Sequence, residues 1–148
     1  MGDKPTKSEG EDRLPGRLRL ALFALALLLA ALLVMASRLA PDPRGFGTHE
    51  QLGLSPCWIH QRTGITCPSC GMTTAWAHAL AGQILPAIQS NLGGTLLCVV
   101  ALVVAPWLAL SAIVGRWLLW RPSLKPTVIV ATAILTVTVL DWLRRVFL

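Results

Sequence analysis

The chemistry in this chain is concentrated in one stretch, CWIHQRTGITCPSCG, from Cys57 to Gly71. It holds three of the four cysteines and one of the three histidines. Three chemistries suit these residue types. In the first, Cys67-Pro-Ser-Cys70-Gly71 forms a knuckle in which two thiolates three residues apart grip one tetrahedral ion. A glycine after the second cysteine can take the left-handed conformation that turns backbone N–H groups toward sulfur. Cys57 and His60 supply the other half, completing a Cys57, His60, Cys67, Cys70 set suited to zinc. In the second, Cys67 and Cys70 are a redox dithiol at the start of a helix, whose positive end stabilises a thiolate on Cys67. In the third, a disulfide from Cys67 to Cys57 or to Cys70 staples the loop. The spacing favours metal, while an oxidising location would favour the dithiol or the staple.

Other candidates have plainer readings. His49 and His78 are spare ligands, and His78 on the following helix could stand in for His60, yet a lone histidine there is more often a polar group near an interface. Cys98 lies among apolar residues and reads as a packed thiol. Asp141 within an apolar run raises the suspicion of a functional carboxylate. Arg144 and Arg145 follow at helical ion-pair spacing, which favours a boundary anchor. There is no Ser/His/Asp triad, carboxylate pair or phosphate loop, so an enzymatic reading rests on Cys67 and Cys70 alone.

The elements that must position these residues belong to a membrane protein. Apolar residues make up 54% of the 148 and charged residues 14%, against about 25% charged in soluble chains. No Asp, Glu, Lys or Arg occurs in the 53 residues between Arg62 and Arg116. Residues 1–19 read as a disordered polar tail. The Leu/Ala-rich run from Leu20 to Ser37 is 18 residues without a charge. It is too long for the apolar part of a signal peptide, and Arg38 blocks a small-x-small cleavage site, so 20–39 is expected to be an uncleaved first span. The Cys/His loop covers 40–72. Residues 73–91 form one short interfacial or re-entrant helix, with Trp76, Leu80 and Ile84 on one face and Pro86 as its breaker. The second span is 92–114, a basic Trp-rich loop covers 115–125, and the third span is 126–143. The fold expected is an all-α integral membrane protein with three spans and one shorter helix.

Orientation follows from Lys and Arg. Eight of them fall on the tail and short-loop side (Lys4, Lys7, Arg13, Arg17, Arg19, Arg116, Arg121, Lys125) and five on the other (Arg38, Arg44, Arg62, Arg144, Arg145). The excess places the N-terminus in the cytoplasm and the cysteine loop outside the plasma membrane. The net charge of +6 sits at the ends of the apolar runs. That is the placement of membrane anchors, and nucleic acid is not an expected partner. The expected partners are the lipid bilayer and a membrane protein or a second copy of the chain.

The segment TGITCPSCGMTTAWAHALAGQILPAIQSN resembles the signature of a bacterial membrane-protein family catalogued as domain of unknown function 2752. That pattern runs TG, two residues, CPxCG, one residue, TRA, then a helix and Asn-Pro. Thr63, Gly64, Cys67, Pro68, Cys70, Gly71, Thr73 and Ala75 fall on it. Thr74 stands where the family usually has Arg, and Gly93 replaces the usual Asn-Pro continuation after Asn91. The resemblance extends from Cys57 to about Trp107. It implies a membrane location and a function centred on the cysteines, and it brings no activity with it.

Overall fold

A computed structural model describes residues 13–147. The described residues are helical, apart from turns and one isolated bridge between Arg13 and Arg116. Six α-helices follow one another: α1 (Gly16–Arg38), α2 (Trp58–Thr63), α3 (Met72–Leu80), α4 (Ile84–Ser90), α5 (Leu92–Val114) and α6 (Leu124–Phe147). A 3-10 turn, Thr48–Leu52, precedes α2. Three helices, α1, α5 and α6, are long and apolar enough to cross a membrane. At 1.5 Å per residue, the 23 residues of α1 or α5 reach roughly 35 Å.

Local chemistry sets the boundaries. The helix α1 follows Pro15 and stops at Leu39, ahead of Pro41 and Pro43. The expected tail of 1–19 therefore ends earlier. Arg17 and Arg19 belong to the first turn of α1, and Leu14 is buried, its N–H bonded to the Gly115 carbonyl at 2.8 Å. The first 12 residues of that tail lie outside the described chain. Arg19 then caps the end of α5. Its guanidinium donates to the Ala112 carbonyl at 2.8 Å and the Ile113 carbonyl at 3.0 Å, two of the groups a helix end leaves unpaired.

The expected single helix over 73–91 is two. Its break falls at Gly82, which takes φ 76°, and not at Pro86. Pro86 sits in the first turn of α4, where a missing N–H costs nothing. Ile84 thus leaves the face it was expected to share with Trp76 and Leu80. Neither α3, with 9 residues, nor α4, with 7, is long enough to cross a bilayer. The third span is also longer than 126–143. It starts at Leu124 because Pro126 falls in the first turn, and it continues past Leu143 because Arg144 and Arg145 pair back to Asp141.

The helix α5 is the hub, in contact with α1, α3, α4 and α6. Midway along it, Trp107 and Leu108 pack against Ala26, with Leu22 and Leu29 of α1 around them. At the end near Gly115, Trp107 stacks between Trp117 and Trp120, with ring centroids 5.4 and 4.7 Å away. Its Nε1–H donates to the Leu118 carbonyl at 2.6 Å. At the opposite end, α3, α4 and the Cys/His loop gather around the start of α5. Gly93 and Gly94 permit this crowding. A Cβ on Gly93 would run into the Thr138 side chain of α6, and one on Gly94 would stand 3.0 Å from the Met72 Cα.

Candidate metal centre

The three cysteines of the loop come together from separate elements. Cys57 precedes α2 as its N-cap residue, and Cys67 and Cys70 lie on the turn that leads into α3. Their three sulfurs all lie within 4.8 Å of one another. The Cys67 and Cys70 sulfurs are 3.1 Å apart. On a tetrahedral zinc, with Zn–S near 2.3 Å, two sulfurs stand roughly 3.8 Å apart. The set therefore brackets what one ion needs, and the Cys67–Cys70 pair has only to open slightly.

The turn is fixed by its own backbone and by Gly71. The Cys70 N–H donates to the Cys67 carbonyl at 3.0 Å, and the Met72 N–H to the Ser69 carbonyl at 3.1 Å. Gly71 takes φ 87°, where a side chain is strained. The space is closed as well: a Cβ here would stand 2.5 Å from the Ser90 carbonyl oxygen and 2.8 Å from that of Gly45. The glycine thus lets the knuckle lie flat on two other segments.

Asn91 holds the knuckle from beneath. It is fully buried, and its Nδ2 donates to the carbonyls of Pro68 and Cys70, each at 3.0 Å. Its Oδ1 accepts from the Gly94 N–H at 2.7 Å, which makes Asn91 the N-cap of α5. The helix α6 reaches the same turn. Trp142 Nε1–H donates to the Thr66 carbonyl at 2.6 Å. Arg145 donates to the carbonyls of Cys70 at 3.1 Å and Ser90 at 3.2 Å. Asp141 is paired with Arg144 at 2.9 Å and Arg145 at 3.1 Å, and accepts from the Leu92 N–H. Its ion pairs are the ones that the spacing to the arginines suggested.

The thiols differ in their surroundings. The Cys57 sulfur faces the backbone N–H of His60, which draws its pKa down to about 7, against the opposing effect of burial. Cys70 is buried, and desolvation together with its bond to Cys67 pushes its thiol up to about 12. A bound cation reverses that second effect, since a coordinating thiol loses its proton outright.

His60 is not among the three clustered sulfur ligands. It lines the same cavity, of about 640 Å³, as all three cysteines, with its ring edge-on to Phe46 at 4.8 Å. Its Nδ1 is buried without a hydrogen-bond partner. His49 lines that cavity too. His78 does not. It turns to Gln83, with Nδ1 and Oε1 2.6 Å apart, and borders a separate cavity beside Pro86 and Ser90. Cys98 is buried in α5 away from the cluster. Across the cavity, Arg44 bridges Asp42 at 2.7 Å and Glu50 at 3.2 Å, and holds Asp42 below the usual carboxylate range.

Sequence reasoning did not find the parts played by Asn91, Trp142 and Arg145. For Asn91 a signal was present, since Asn directly before an apolar helical run is a capping residue. For Trp142 and Arg145 there was none, because their partners are backbone carbonyls some 75 residues distant. Thr74, where the resemblance would place Arg, is buried and shares a hydrogen bond of 2.8 Å with Thr48.

This geometry coincides with a family boundary. Residues 57–105 match the model of a family described as protein of unknown function (DUF2752). The match supports the resemblance read from the TG–CPxCG motif, over about the same segment. No curated protein and no solved structure matches the chain. The described residues thus form an all-helical chain with three helices long and apolar enough to span a membrane, and its central segment, 57–105, is similar to that family. Three of its cysteines are close enough to hold a metal ion.

Proposed function

We propose that this is a multi-pass plasma-membrane protein whose outer loop binds one zinc ion through Cys57, Cys67 and Cys70, with His60 as fourth ligand. The metal-held loop then presents a contact surface to a membrane partner or a second copy. The observation that carries the reading is the convergence of three sulfurs within 4.8 Å, in a cavity also lined by His60, whose Nδ1 is buried and unpartnered. A Cys3His set is a closed, four-coordinate arrangement of the structural kind. Supporting the contact role, Leu54, Trp58, Ile59 and Ile65 are exposed around the site. Supporting an outer location, the sequence counts eight Lys and Arg in segments 1–19 and 115–125 against five elsewhere.

Zinc analysis of the detergent-purified chain tests the proposal. One zinc per chain is expected, lost in Cys67→Ser and Cys70→Ser and weakened in His60→Ala. Reporter fusions at Gly53 and Ser123 are expected on opposite faces of the membrane, with Gly53 outside. The proposal fails if the purified protein holds no metal and shows a reversible Cys67–Cys70 disulfide. That outcome would favour the second reading, a membrane thiol–disulfide oxidoreductase, whose specific support is the 3.1 Å approach of those two sulfurs. Against it, α3 starts at Met72, so Cys67 lies outside the first turn whose dipole was to activate it.

A further inference from the structure

The span α6 is attached to the rest of the protein in an unusual place. Its two buried residues are Thr138 and Asp141, both in its second half. From Val128 to Ala133 it is exposed on every side. Among the described residues, its hydrogen bonds to other elements come from Asp141, Trp142 and Arg145 alone. Three of those bonds end on carbonyls of the cysteine turn or of the residue before it, Thr66 and Cys70, and of Ser90, against which Gly71 packs.

Lipid is as apolar as the helix, so no hydrophobic force drives α6 onto α5. Close packing and polar bonds must do it. The close packing is the Gly93–Thr138 contact, beside the latch, and the polar bonds are the latch itself. Both depend on the knuckle and the start of α5 keeping their shape. Asn91 Nδ2 and Arg145 share the Cys70 carbonyl, so the residue that holds the knuckle and the one that holds α6 meet on one atom.

We infer that metal binding at the cysteine cluster regulates the docking of α6, so that the state of the outer site is carried across the membrane by this helix. The inference rests on the metal reading above. A metal that orders the turn fixes the Thr66 and Cys70 carbonyls at the positions Trp142 and Arg145 need. Without the metal the turn keeps only its backbone bonds, the packing of Gly71 and the hold of Asn91, so the acceptors are less firmly placed and α6 docks more weakly on α5. Linkage makes the effect reciprocal: breaking the latch must weaken metal binding by the factor by which metal strengthens the latch.

The test uses the full chain in detergent with Zn²⁺ as the probe. Trp142→Phe keeps an aromatic ring, though a smaller one, and removes the donor, and Arg145→Gln removes the charge and the fork. Each is expected to raise the apparent Kd for Zn²⁺ about tenfold. Arg144→Gln, at an exposed arginine that bonds only Asp141, is the charge control and is expected to stay within about twofold. In protein labelled with 5-fluorotryptophan, the ¹⁹F resonance missing from Trp142→Phe is expected to shift on Zn²⁺ addition, while that of Trp107 stays put. Parental affinity in both latch variants overturns the inference and leaves the metal reading standing. So does an Arg144→Gln effect equal to that of Arg145→Gln, or a Trp142 resonance blind to Zn²⁺. A parent chain that binds no Zn²⁺ overturns both.

Discussion

The two outer spans, α1 and α6, flank α5 and bury the same small share of their most apolar stretch, 11% each. They are nevertheless held differently. The attachment of α1 runs along its length: Leu14 and Arg19 bond the end of α5, Leu22, Ala26 and Leu29 pack midway, and Ala36 is buried near its other end. The attachment of α6 is confined to one end and is largely polar. In a lipid environment the first arrangement is set by the fit of side chains along a helix, and the second by whether a few carbonyls stay where they are. Equal burial therefore conceals unequal sensitivity, and the sensitive attachment is the one built on the cysteine turn.

The largest expected effect is at the floor of that turn. Gly71→Val and Gly71→Ala both place a Cβ at φ 87° against the carbonyls of Ser90 and Gly45. Backbone strain alone costs about 1–3 kcal/mol. Both variants should lower the melting temperature in detergent and lose zinc, with valine the worse of the two. A Gly71→Ala protein with parental stability and zinc content would mean that the turn is not built this way. Because alanine is already excluded by the packing, Gly71 variants do not separate the metal reading from the redox reading. That separation falls to direct metal analysis.

A paired substitution sharpens the contrast between the spans. Gly93→Ala presses on Thr138 where α6 crosses α5, and overpacking of this kind costs about 1–3 kcal/mol. Gly16→Ala, at the start of α1, meets nothing within 4 Å and should be neutral or stabilise by up to about 1 kcal/mol. Thermal unfolding of the two variants beside the parent checks this. Equal effects would erase the distinction between the attachments.

The smallest effect is chemical. In metal-free protein the thiolate is the reacting form, so a lowered pKa brings reactivity to lower pH. Cys57 should be alkylated with a midpoint near pH 7, while Cys70, pushed up to about 12, should stay unreactive through neutral pH. Site-resolved mass spectrometry after brief iodoacetamide treatment at pH 6, 7 and 8 reads the order. Equal rates at the two sites would contradict the arrangement of Cys57 against the backbone of α2.

Much of this was legible in the chain. Charge-free runs of 18 and 23 residues marked the first two spans, since such runs have few uses outside lipid, while the third was read from a run of only 15, residues 126–140, extended past Asp141. The CPxCG spacing and the upstream Cys57 marked the site. What could not be read was whatever depended on backbone facing backbone. The break at Gly82 required a left-handed φ that composition does not announce. Helix α2 was hidden in what looked like a loop, because WIHQRT has too few residues for a period to show. The bonds of Trp142 and Arg145 to carbonyls of the turn are long-range contacts to atoms every residue possesses, so no residue type signals them. Pro86 misled because a proline breaks a helix interior and is harmless in a first turn.

The central claim is that one ion sits among the sulfurs of Cys57, Cys67 and Cys70, and X-ray absorption at the zinc edge on the purified protein tests it most directly. The account predicts a first shell of three sulfurs at about 2.3 Å and one nitrogen at about 2.0 Å. A shell of nitrogen and oxygen alone, or no bound zinc after loading, would contradict it.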